Sequence, residues 1–172
     1  ANTAWRHEGG YTSSGGFLID HGVHMIDVAR FLMGEIETVQ VLANSRKAYL
    51  SGFDSAVFNL GFTSGAVGSI QWSFSVATER VATIEIWSED GSLMISQDGV
   101  HLRKQSGEQT VIPCRPNRSF VNEYVDFYEA LAHGAKPVMT AEDGWKDLEA
   151  VLAAGRSAST RQTVMIATEG RA

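Results

Sequence analysis

Three ionisable side chains recur at helical spacing inside an apolar stretch near the start of the chain. The segment GGFLIDHGVHMIDVARFLMG, residues 15–34, carries Asp20, His24 and Asp27. At 100° per residue, these positions fall within about 60° of one another around a helix. An imidazole beside a carboxylate can move a proton, because the carboxylate holds the ring in one tautomer. The stripe is therefore a candidate acid–base site.

The residues alone leave three interpretations of this stripe open. In the first, His24 is a general acid or base and Asp20 orients its ring. In the second, Asp20, His24 and His21 bind a metal, although neither an H-E-x-x-H motif nor a pair of cysteines accompanies them. In the third, Asp27 forms a salt bridge or caps a helix, while Asp20 and His24 satisfy each other. We expect acid–base chemistry and no metal.

Apolar residues occupy the rest of the helix circumference, which predicts a helix buried nearly all round. Gly22 lies opposite the stripe, where glycine costs about 1 kcal/mol of helix stability. We therefore expect a second backbone to pass close to Gly22, and we predict structural roles for Gly22 and Asp27. Thr12, Ser13 and Ser14 are candidate N-caps of the helix.

Composition limits the function classes. The chain has 172 residues, 44% of them hydrophobic, which suits one domain with its own core. Its net charge of −6 argues against binding to nucleic acid, which needs a basic surface. Cys114 is the single cysteine, so no disulfide can form within the chain. The sequence shows neither a signal-peptide pattern nor an apolar run of about 20 residues. We expect a cytoplasmic protein without membrane contact.

Most of the middle of the chain alternates apolar and polar residues with the period of β-strands. The segment 55–76 predicts a hairpin with its turn at residues 63–65. Its expected inward residues are Ala56, Phe58, Leu60 and Phe62, then Ile70, Trp72, Phe74 and Val76. Further strands are predicted at 36–43, 81–88, 92–97, 99–105, 109–113 and 162–166. We expect an α+β fold, an open, mainly antiparallel sheet with helices on one face.

Two more helices are predicted after these strands. Residues 119–134 have the helical period, with Ser119 as the expected N-cap. The face that we expect to be core contains Phe120, Tyr124, Phe127 and Leu131. Residues 140–160 form the second helix, where Thr140 and Asp143 match a capping box.

The segment around the stripe resembles the signature of the Gfo/Idh/MocA oxidoreductases, the glucose–fructose oxidoreductase and inositol dehydrogenase family. That signature is G-G-G-x-x-x-D-x-G-x-H-x-x-D, followed by an apolar helix that ends in glycine. The matching residues are Gly15, Gly16, Asp20, Gly22, His24, Asp27 and Gly34. Trp5 and Arg6 resemble the family's upstream tryptophan–arginine pair, and residues 140–160 resemble its closing helix. The resemblance extends over essentially the whole chain.

The resemblance implies half of a larger enzyme. Family members begin with a Rossmann domain that carries a G-x-G-x-x-G turn and an E-K-P segment, and neither motif occurs in this sequence. We expect residues 1–172 to be a single C-terminal substrate-binding and dimerisation domain. NAD or NADP is expected to bind mainly to the Rossmann domain, so we assign no cofactor-binding residue to this chain.

The resemblance also implies roles for individual residues. A sugar, polyol or related compound would lie between the two domains. His24 would remove the hydroxyl proton as hydride leaves the same carbon, and Asp20 would orient His24 or bind the hydroxyl. Arg6 and Trp5 are candidate substrate contacts, although Trp5 also fits plain packing. His21 either alters substrate choice or points to solvent.

The sheet face opposite the helices is expected to be poor in charge, with Glu85 as its one charged residue. Its residues are Thr38, Gln40, Leu42, Val57, Asn59, Val67, Ser69, Gln71, Ser73, Thr83, Glu85, Trp87 and Met94. Such a face suits an interface, and the resemblance implies pairing through it. We expect a homodimer or higher oligomer, with Trp87 near the centre of the interface.

A function of another class remains open. The chain could be a non-catalytic ligand-binding or scaffolding domain of the same fold. The presence of both Asp20 and His24 favours an enzyme.

Overall fold

A computed structural model of the chain describes residues 16–46, 52–77 and 83–166. Its elements are α1 (Gly16–Met33), β1 (Ile36–Asn44), β2 (Ser55–Phe62), β3 (Val67–Ser73), β4 (Ile84–Ser88), β5 (Gly91–Ile95), β6 (Gly99–Lys104), β7 (Gln109–Pro113), α2 (Ser119–His133), α3 (Ala141–Thr160) and β8 (Val164–Met165). The chain divides after Val76 and again after Val138 into two units. The first unit holds α1, β1–β3, α3 and β8, and the second holds β4–β7 and α2.

The sheet of the first unit has the strand order β3-β2-β1-β8, and each neighbouring pair is antiparallel. Phe58 in β2 lies opposite Val41 of β1 and Ile70 of β3. The four residues of β2 that were predicted to point inward are all buried, which confirms that register. Val76 is 61% exposed, so its predicted inward position is wrong. The reason is that β3 ends at Ser73, and the alternation of a strand does not continue through the following bend.

The core of this unit lies between one face of the sheet and the helices α1 and α3. Its buried apolar residues are Leu18, Ile26, Ile36, Val39, Val41, Ala56, Phe58, Leu60, Phe62, Ala150, Val151, Ala153 and Ala154. On the opposite face Gln40, Asn59 and Gln71 are exposed. The prediction of helices on one face of a sheet is therefore confirmed for this unit.

Small residues on α3 allow the helix to approach β1 closely. Ala150, Ala153 and Ala154 are buried there, and so is Ser157. The Ser157 hydroxyl accepts a hydrogen bond from the backbone N–H of Val41 at 2.9 Å. It also donates to the carbonyl of Gln162 at 2.6 Å. One hydroxyl therefore satisfies two backbone groups that would be costly to bury unpaired.

The first turn of α3 has the predicted capping box. The Thr140 hydroxyl accepts from the backbone N–H of Asp143 at 3.1 Å, and the Asp143 carboxylate accepts from the backbone N–H of Thr140 at 3.0 Å. After α3, residues 164–165 pair with β1 as an edge strand within the predicted range 162–166. Both local predictions are confirmed.

The second unit contains an antiparallel sheet with the strand order β4-β5-β6-β7. The close approach of β5 to β6 depends on Gly91, the first residue of β5. A Cβ atom at this position would lie 2.1 Å from the carbonyl oxygen of Arg103, so a larger residue would displace the neighbouring strand β6. Gly91 lies in the gap between the predicted strands 81–88 and 92–97, and packing against β6 requires a glycine there.

Helix α2 differs from its prediction in packing. Its expected core face is open: Phe120 is 76% exposed, Tyr124 75% and Phe127 62%. Helical spacing of apolar residues predicts an apolar face, but it does not specify what covers that face. The start of the helix also differs, because Asn117 Oδ1 accepts from the backbone N–H of Ser119 at 2.9 Å. The N-cap is Arg118, which makes no side-chain capping bond, so the prediction of Ser119 as N-cap is wrong.

The fold class is α+β, as predicted. Among the described residues all strand pairs are antiparallel, and they form two four-stranded sheets rather than one continuous sheet. The prediction of one charge-poor face is therefore wrong for Glu85, Trp87 and Met94, which lie on a different sheet from the residues of β1–β3. Among the described residues, every helix is too short or too polar to span a bilayer.

Candidate active site

Helix α1 carries the predicted stripe on a side that the core does not cover. Leu18, Gly22 and Ile26 face the core and are buried. His24 is exposed on the other side, and Phe31, about two turns further on, is 79% exposed. The prediction of a helix buried nearly all round is therefore wrong. The packing partners within this unit reach one side of the helix, and the apolar residues on the other side stay open.

Asp20 and His24 are one helical turn apart on α1. Asp20 is half-buried and His24 is exposed. At this i, i+4 spacing the two side chains lie on the same helix surface, so the carboxylate can orient the imidazole. An exposed imidazole with a carboxylate beside it is accessible to a hydroxyl group from outside the unit. The arrangement suits general acid–base chemistry.

His21 lies against two aromatic residues at the end of β3. Its ring centroid is 5.2 Å from that of Phe74, with an interplanar angle of 77°, and 6.3 Å from that of Trp72. Trp72 and Phe74 are themselves edge-to-face at 5.2 Å. His21 is half-buried, so the alternative in which it simply points to solvent is wrong. These contacts connect the first turns of α1 to the sheet.

Gly22 faces α3, on the side predicted from the helical wheel. A Cβ atom built at this position would lie 3.7 Å from Val151 Cγ2, an ordinary van der Waals contact. The closest neighbours of such an atom are side-chain atoms of Val151 and Leu18. The expectation of a second backbone at Gly22 is therefore wrong, because side-chain atoms of α3 fill this space.

The other end of α1 is fixed by a cluster of ion pairs. Arg30, whose side chain is 8% exposed, binds Glu35 with two hydrogen bonds of 3.0 and 3.1 Å. It also donates to Asp147 Oδ1 at 2.5 Å and to the backbone carbonyl of Asp143 at 2.9 Å. These contacts join the end of α1 to α3. Lys146 Nζ lies 3.4 Å from Glu35 Oε1, so the cluster contains a second cation.

The electrostatics of this cluster follow from burial and from the central guanidinium. The hydrogen bond from Arg30 holds the pKa of Glu35 below its ordinary value. Burial raises the pKa of Asp147, and the negative charges of Asp27 and Asp143 act in the same direction against the effect of Arg30. Asp27 is half-buried on α1. Its charge therefore acts on the structural cluster at this end of the helix.

Two predicted substrate contacts, Trp5 and Arg6, lie outside the described residues, as does Gly15. Their placement stays a prediction. Within ranges 16–46, 52–77 and 83–166, no group of three His, Cys, Asp or Glu side chains has the arrangement of a metal site. The contacts of His21 with Trp72 and Phe74 were not predicted, although Trp72 was expected on the inward face of β3.

Comparison with known proteins matches residues 1–166 to a family described as the oxidoreductase family, C-terminal alpha/beta domain, of the Gfo/Idh/MocA type. The chain belongs to this family. The match confirms the resemblance inferred from the glycine, aspartate and histidine pattern around His24.

Curated relatives have similar sequences over roughly half of their own length. The chain is 29% identical to scyllo-inositol 2-dehydrogenase (NAD(+)) of Bacillus subtilis (strain 168) over 156 residues, which cover 84% of this chain and 46% of the relative. It is 28% identical to myo-inositol 2-dehydrogenase of Thermotoga maritima over 166 residues, which cover 89% of this chain and 50% of the relative.

Solved structures show the same fold. An oxidoreductase from Agrobacterium radiobacter, crystallised with NAD+, L-tartaric acid and magnesium, superposes with a TM-score of 0.82. The superposition covers 95% of this chain and 52% of that chain, at 21% sequence identity. At this identity the likeness supports the fold and does not assign a ligand.

Proposed function

We propose that the chain is the substrate-binding half of an NAD(P)-dependent oxidoreductase that acts on a CH–OH group of a sugar, polyol or related compound. The observation that carries this proposal is the placement of Asp20 and His24 one turn apart on α1, with His24 exposed. The names of the two inositol dehydrogenases support a polyol as the substrate class. Residues 1–172 then act as the C-terminal domain of a longer protein.

In the proposed reaction, His24 acts as the general base. A ring nitrogen of His24 takes the proton of the substrate hydroxyl, the hydrogen on the same carbon leaves as hydride, and a carbonyl forms. Asp20 holds the imidazole in the tautomer that can accept this proton. A bound NAD or NADP would supply the acceptor for this hydride.

The surface around His24 supports a site that is completed by another domain. His24, Val28 and Phe31 lie at i, i+4 and i+7 on the exposed side of α1. Apolar side chains such as Val28 and Phe31 beside a catalytic group exclude water once a second protein surface covers them. Arg6 and Trp5 are the proposed substrate contacts, and His21 is proposed to limit the shape of the substrate site.

A dimer through the open sheet face is part of the proposal. In the first unit Leu42 is 63% exposed and Val67 83%, and the exposed residues between them include Gln40, Asn59 and Gln71. Trp87, which was predicted near the centre of the interface, lies in β4 on the sheet of the second unit and is 75% exposed, so the proposed interface uses the first unit's sheet alone. Uncharged faces with large apolar residues are typical of interface cores. Sedimentation at micromolar concentration should give a dimer, whereas a monomer would contradict this assembly.

The decisive experiment measures catalysis in the longer protein that contains this chain. It should reduce NAD or NADP with a polyol such as an inositol, and His24→Gln should lower kcat by about 10²–10⁴-fold. The matched control is His133→Gln, because His133 is exposed at the end of α2. Equal turnover by wild type and the His24 variant would refute the base assignment. Ligand binding without turnover would support a non-catalytic domain instead.

The cofactor proposal has a separate test on the 172-residue chain. Its sequence contains no G-x-G-x-x-G turn, so calorimetric titration with NAD or NADP should show no saturable heat at millimolar ligand. Micromolar binding would place the cofactor site within this chain and contradict the proposal. A cytoplasmic location is also proposed, since a single exposed Cys114 suits a reducing compartment.

A further inference from the structure

Asp54 is a fully buried carboxylate directly before β2. Its Oδ2 accepts from the backbone N–H of Arg46 at 2.6 Å. Its Oδ1 accepts from the hydroxyls of Ser55 and Ser75, each at 3.0 Å. A buried carboxylate is costly unless such donors surround it, so a group of this kind holds its neighbours in a defined arrangement.

The serine hydroxyls around Asp54 form a connected cluster. Ser55 Oγ lies 2.6 Å from Ser73 Oγ and 2.8 Å from Ser75 Oγ, and Ser73 Oγ lies 3.2 Å from Ser75 Oγ. Ser55 begins β2, Ser73 ends β3, and Ser75 lies in the bend that follows. We name Asp54, Ser55, Ser73 and Ser75 the Asp54 cluster. It ties the start of one strand to the end of the next.

Phe74 lies between Ser73 and Ser75 in the sequence. Its backbone N–H donates to the carbonyl of Asp54 at 2.8 Å. β3 has already ended at Ser73, so this bond and the Ser75 hydroxyl fix Phe74 beyond the regular ladder. Both the main chain and the side chain of Asp54 therefore determine where the Phe74 ring lies.

The Phe74 ring in turn lies against α1. It is 5.2 Å from the His21 ring and 5.2 Å from the Trp72 ring, both edge-to-face. The indole Nε1 of Trp72 is buried without a hydrogen-bond partner in the described part of the chain. Packing rather than side-chain hydrogen bonding therefore holds the Trp72 indole in place. His21 is adjacent in sequence to Asp20 and one turn before His24, so a shift of Phe74 acts on the helix segment that carries both.

We propose that Asp54 is a positioning residue, which acts through Phe74 and His21 to fix the first turns of α1 and thereby the direction of the Asp20–His24 pair. The structural part of this inference concerns the 172-residue chain itself. Its kinetic consequence rests on the proposed function.

The first test records the imidazole Cε1–Hε1 signal of His21 by NMR in the 172-residue chain. Assignment uses the His21→Gln variant, whose spectrum lacks that signal. The nearby aromatic rings of Phe74 and Trp72 shift this signal through their ring currents. Asp54→Ala removes the acceptor of the three side-chain hydrogen bonds described above, and the His21 signal should lose most of this shift. The asparagine side chain of Asp54→Asn has the same shape as the carboxylate. The serine hydroxyls can turn so that they donate to its oxygen or accept from its NH2 group. This variant should therefore retain the wild-type signal.

A matched control separates positioning from general loss of stability. Asp147 is also a buried acid of the same unit, but it binds Arg30 at the other end of α1. Asp147→Ala should lower the thermal midpoint while the His21 signal stays in place. Three results would overturn the proposal: an unchanged His21 signal in Asp54→Ala, an equal displacement in Asp147→Ala, or the same displacement in Asp54→Asn as in Asp54→Ala.

If Asp54→Ala does not fold, Ser75→Ala carries the test. This variant removes one donor to the carboxylate and leaves the backbone bond to Phe74 intact. The His21 signal should move in the same direction as expected for Asp54→Ala, by a smaller amount. An unchanged signal in folded Ser75→Ala would then refute the coupling between the Asp54 cluster and α1.

The kinetic arm uses the longer protein. A displaced Asp20–His24 pair lowers kcat more than it changes KM, and Asp54→Asn should restore kcat. Loss of kcat in Asp54→Ala with recovery in Asp54→Asn supports the proposal. If the protein shows no oxidoreductase activity at all, the proposed function fails, while the NMR result still decides whether Asp54 positions α1.

Discussion

The two ends of α1 satisfy their ionisable side chains in different ways. At the carboxyl end, Arg30 is 8% exposed and contacts Glu35, Asp147 and the carbonyl of Asp143. At the amino end, Asp20 is half-buried and His24 is exposed. One helix therefore combines a closed ion-pair cluster at one end with an exposed imidazole nearer the other, which we call the open end.

This difference separates anchoring from chemistry. A guanidinium with several charged partners cannot easily exchange them, because removing one leaves another charge buried without compensation. An exposed imidazole can bind an incoming hydroxyl without first breaking such contacts. The closed end fixes α1 to α3, and the open end presents the candidate base from a rigid element.

The largest expected effect on stability comes from the closed end. Arg30→Ala leaves Asp147 buried without its cation, and the free energy of unfolding should fall by about 3 kcal/mol or more. Urea denaturation of the 172-residue chain measures this loss. Arg156→Ala is the control, because Arg156 is exposed on the same α3 helix. Similar losses of unfolding free energy in both variants would show that the ion-pair cluster stabilises the fold no more than an exposed arginine does.

At the open end, Asp20→Asn should lower kcat and have little effect on the stability of the fold. The amide no longer stabilises the charged imidazole, so kcat of the longer protein should fall by roughly tenfold or more, equivalent to about 1.4 kcal/mol. Steady-state kinetics and thermal unfolding of the same preparation give both quantities. A variant that loses more stability than Arg30→Ala while keeping its kcat would reverse the comparison.

The capping box of α3 supports the closed end from the opposite helix. Thr140→Ala removes the acceptor of the Asp143 N–H and should destabilise the chain by about 1 kcal/mol. Thr140→Ser keeps the hydroxyl and should recover most of that loss. Thermal unfolding of the three proteins is the measurement, and equal midpoints for Ala and Ser would argue against a capping role.

The smallest effect is the pH dependence from Glu35. Arg30 lowers the pKa of Glu35 in the folded chain, so the carboxylate stabilises the fold above its unfolded pKa. This contribution is lost as the pH falls through the lower, folded value. Glu35→Gln should therefore reduce the acid sensitivity of the thermal midpoint below about pH 4.5. The effect should stay below about 1 kcal/mol, since the side chain is 44% exposed.

A midpoint that varies with pH to the same extent in Glu35→Gln would assign acid sensitivity to other groups. Glu108→Gln serves as the control, because its partner Lys104 is exposed and both belong to a surface hairpin. This control should behave as wild type.

Features that depend on near neighbours in sequence were predictable. The turn at residues 63–65, the Thr140 capping box and the inward residues of β2 all follow from patterns within a few positions. The Asp20–His24 spacing belongs to this group as well, because the α-helix fixes where i and i+4 lie. The family signature uses the same local spacing, and the family was therefore recognisable without a structure.

Packing decided what local patterns leave open. Spacing placed Gly22 opposite the stripe, but the neighbour proved to be the Val151 side chain rather than a backbone. The aromatic face of α2 had the period of a core helix, yet Phe120 is 76% exposed. Periodicity specifies which residues share a face, whereas burial depends on which other surface reaches that face.

The sequence by itself determined the family, the α+β class and the Asp20–His24 pair. The tertiary structure decided that His24 lies on the open side of α1, that Arg30 meets Asp147, and that Asp54 binds Ser75. Arg30 and Asp147 are 117 positions apart, and Asp54 and Ser75 are 21 apart. No local period encodes such separations, because these contacts exist only after the sheet and helices have packed.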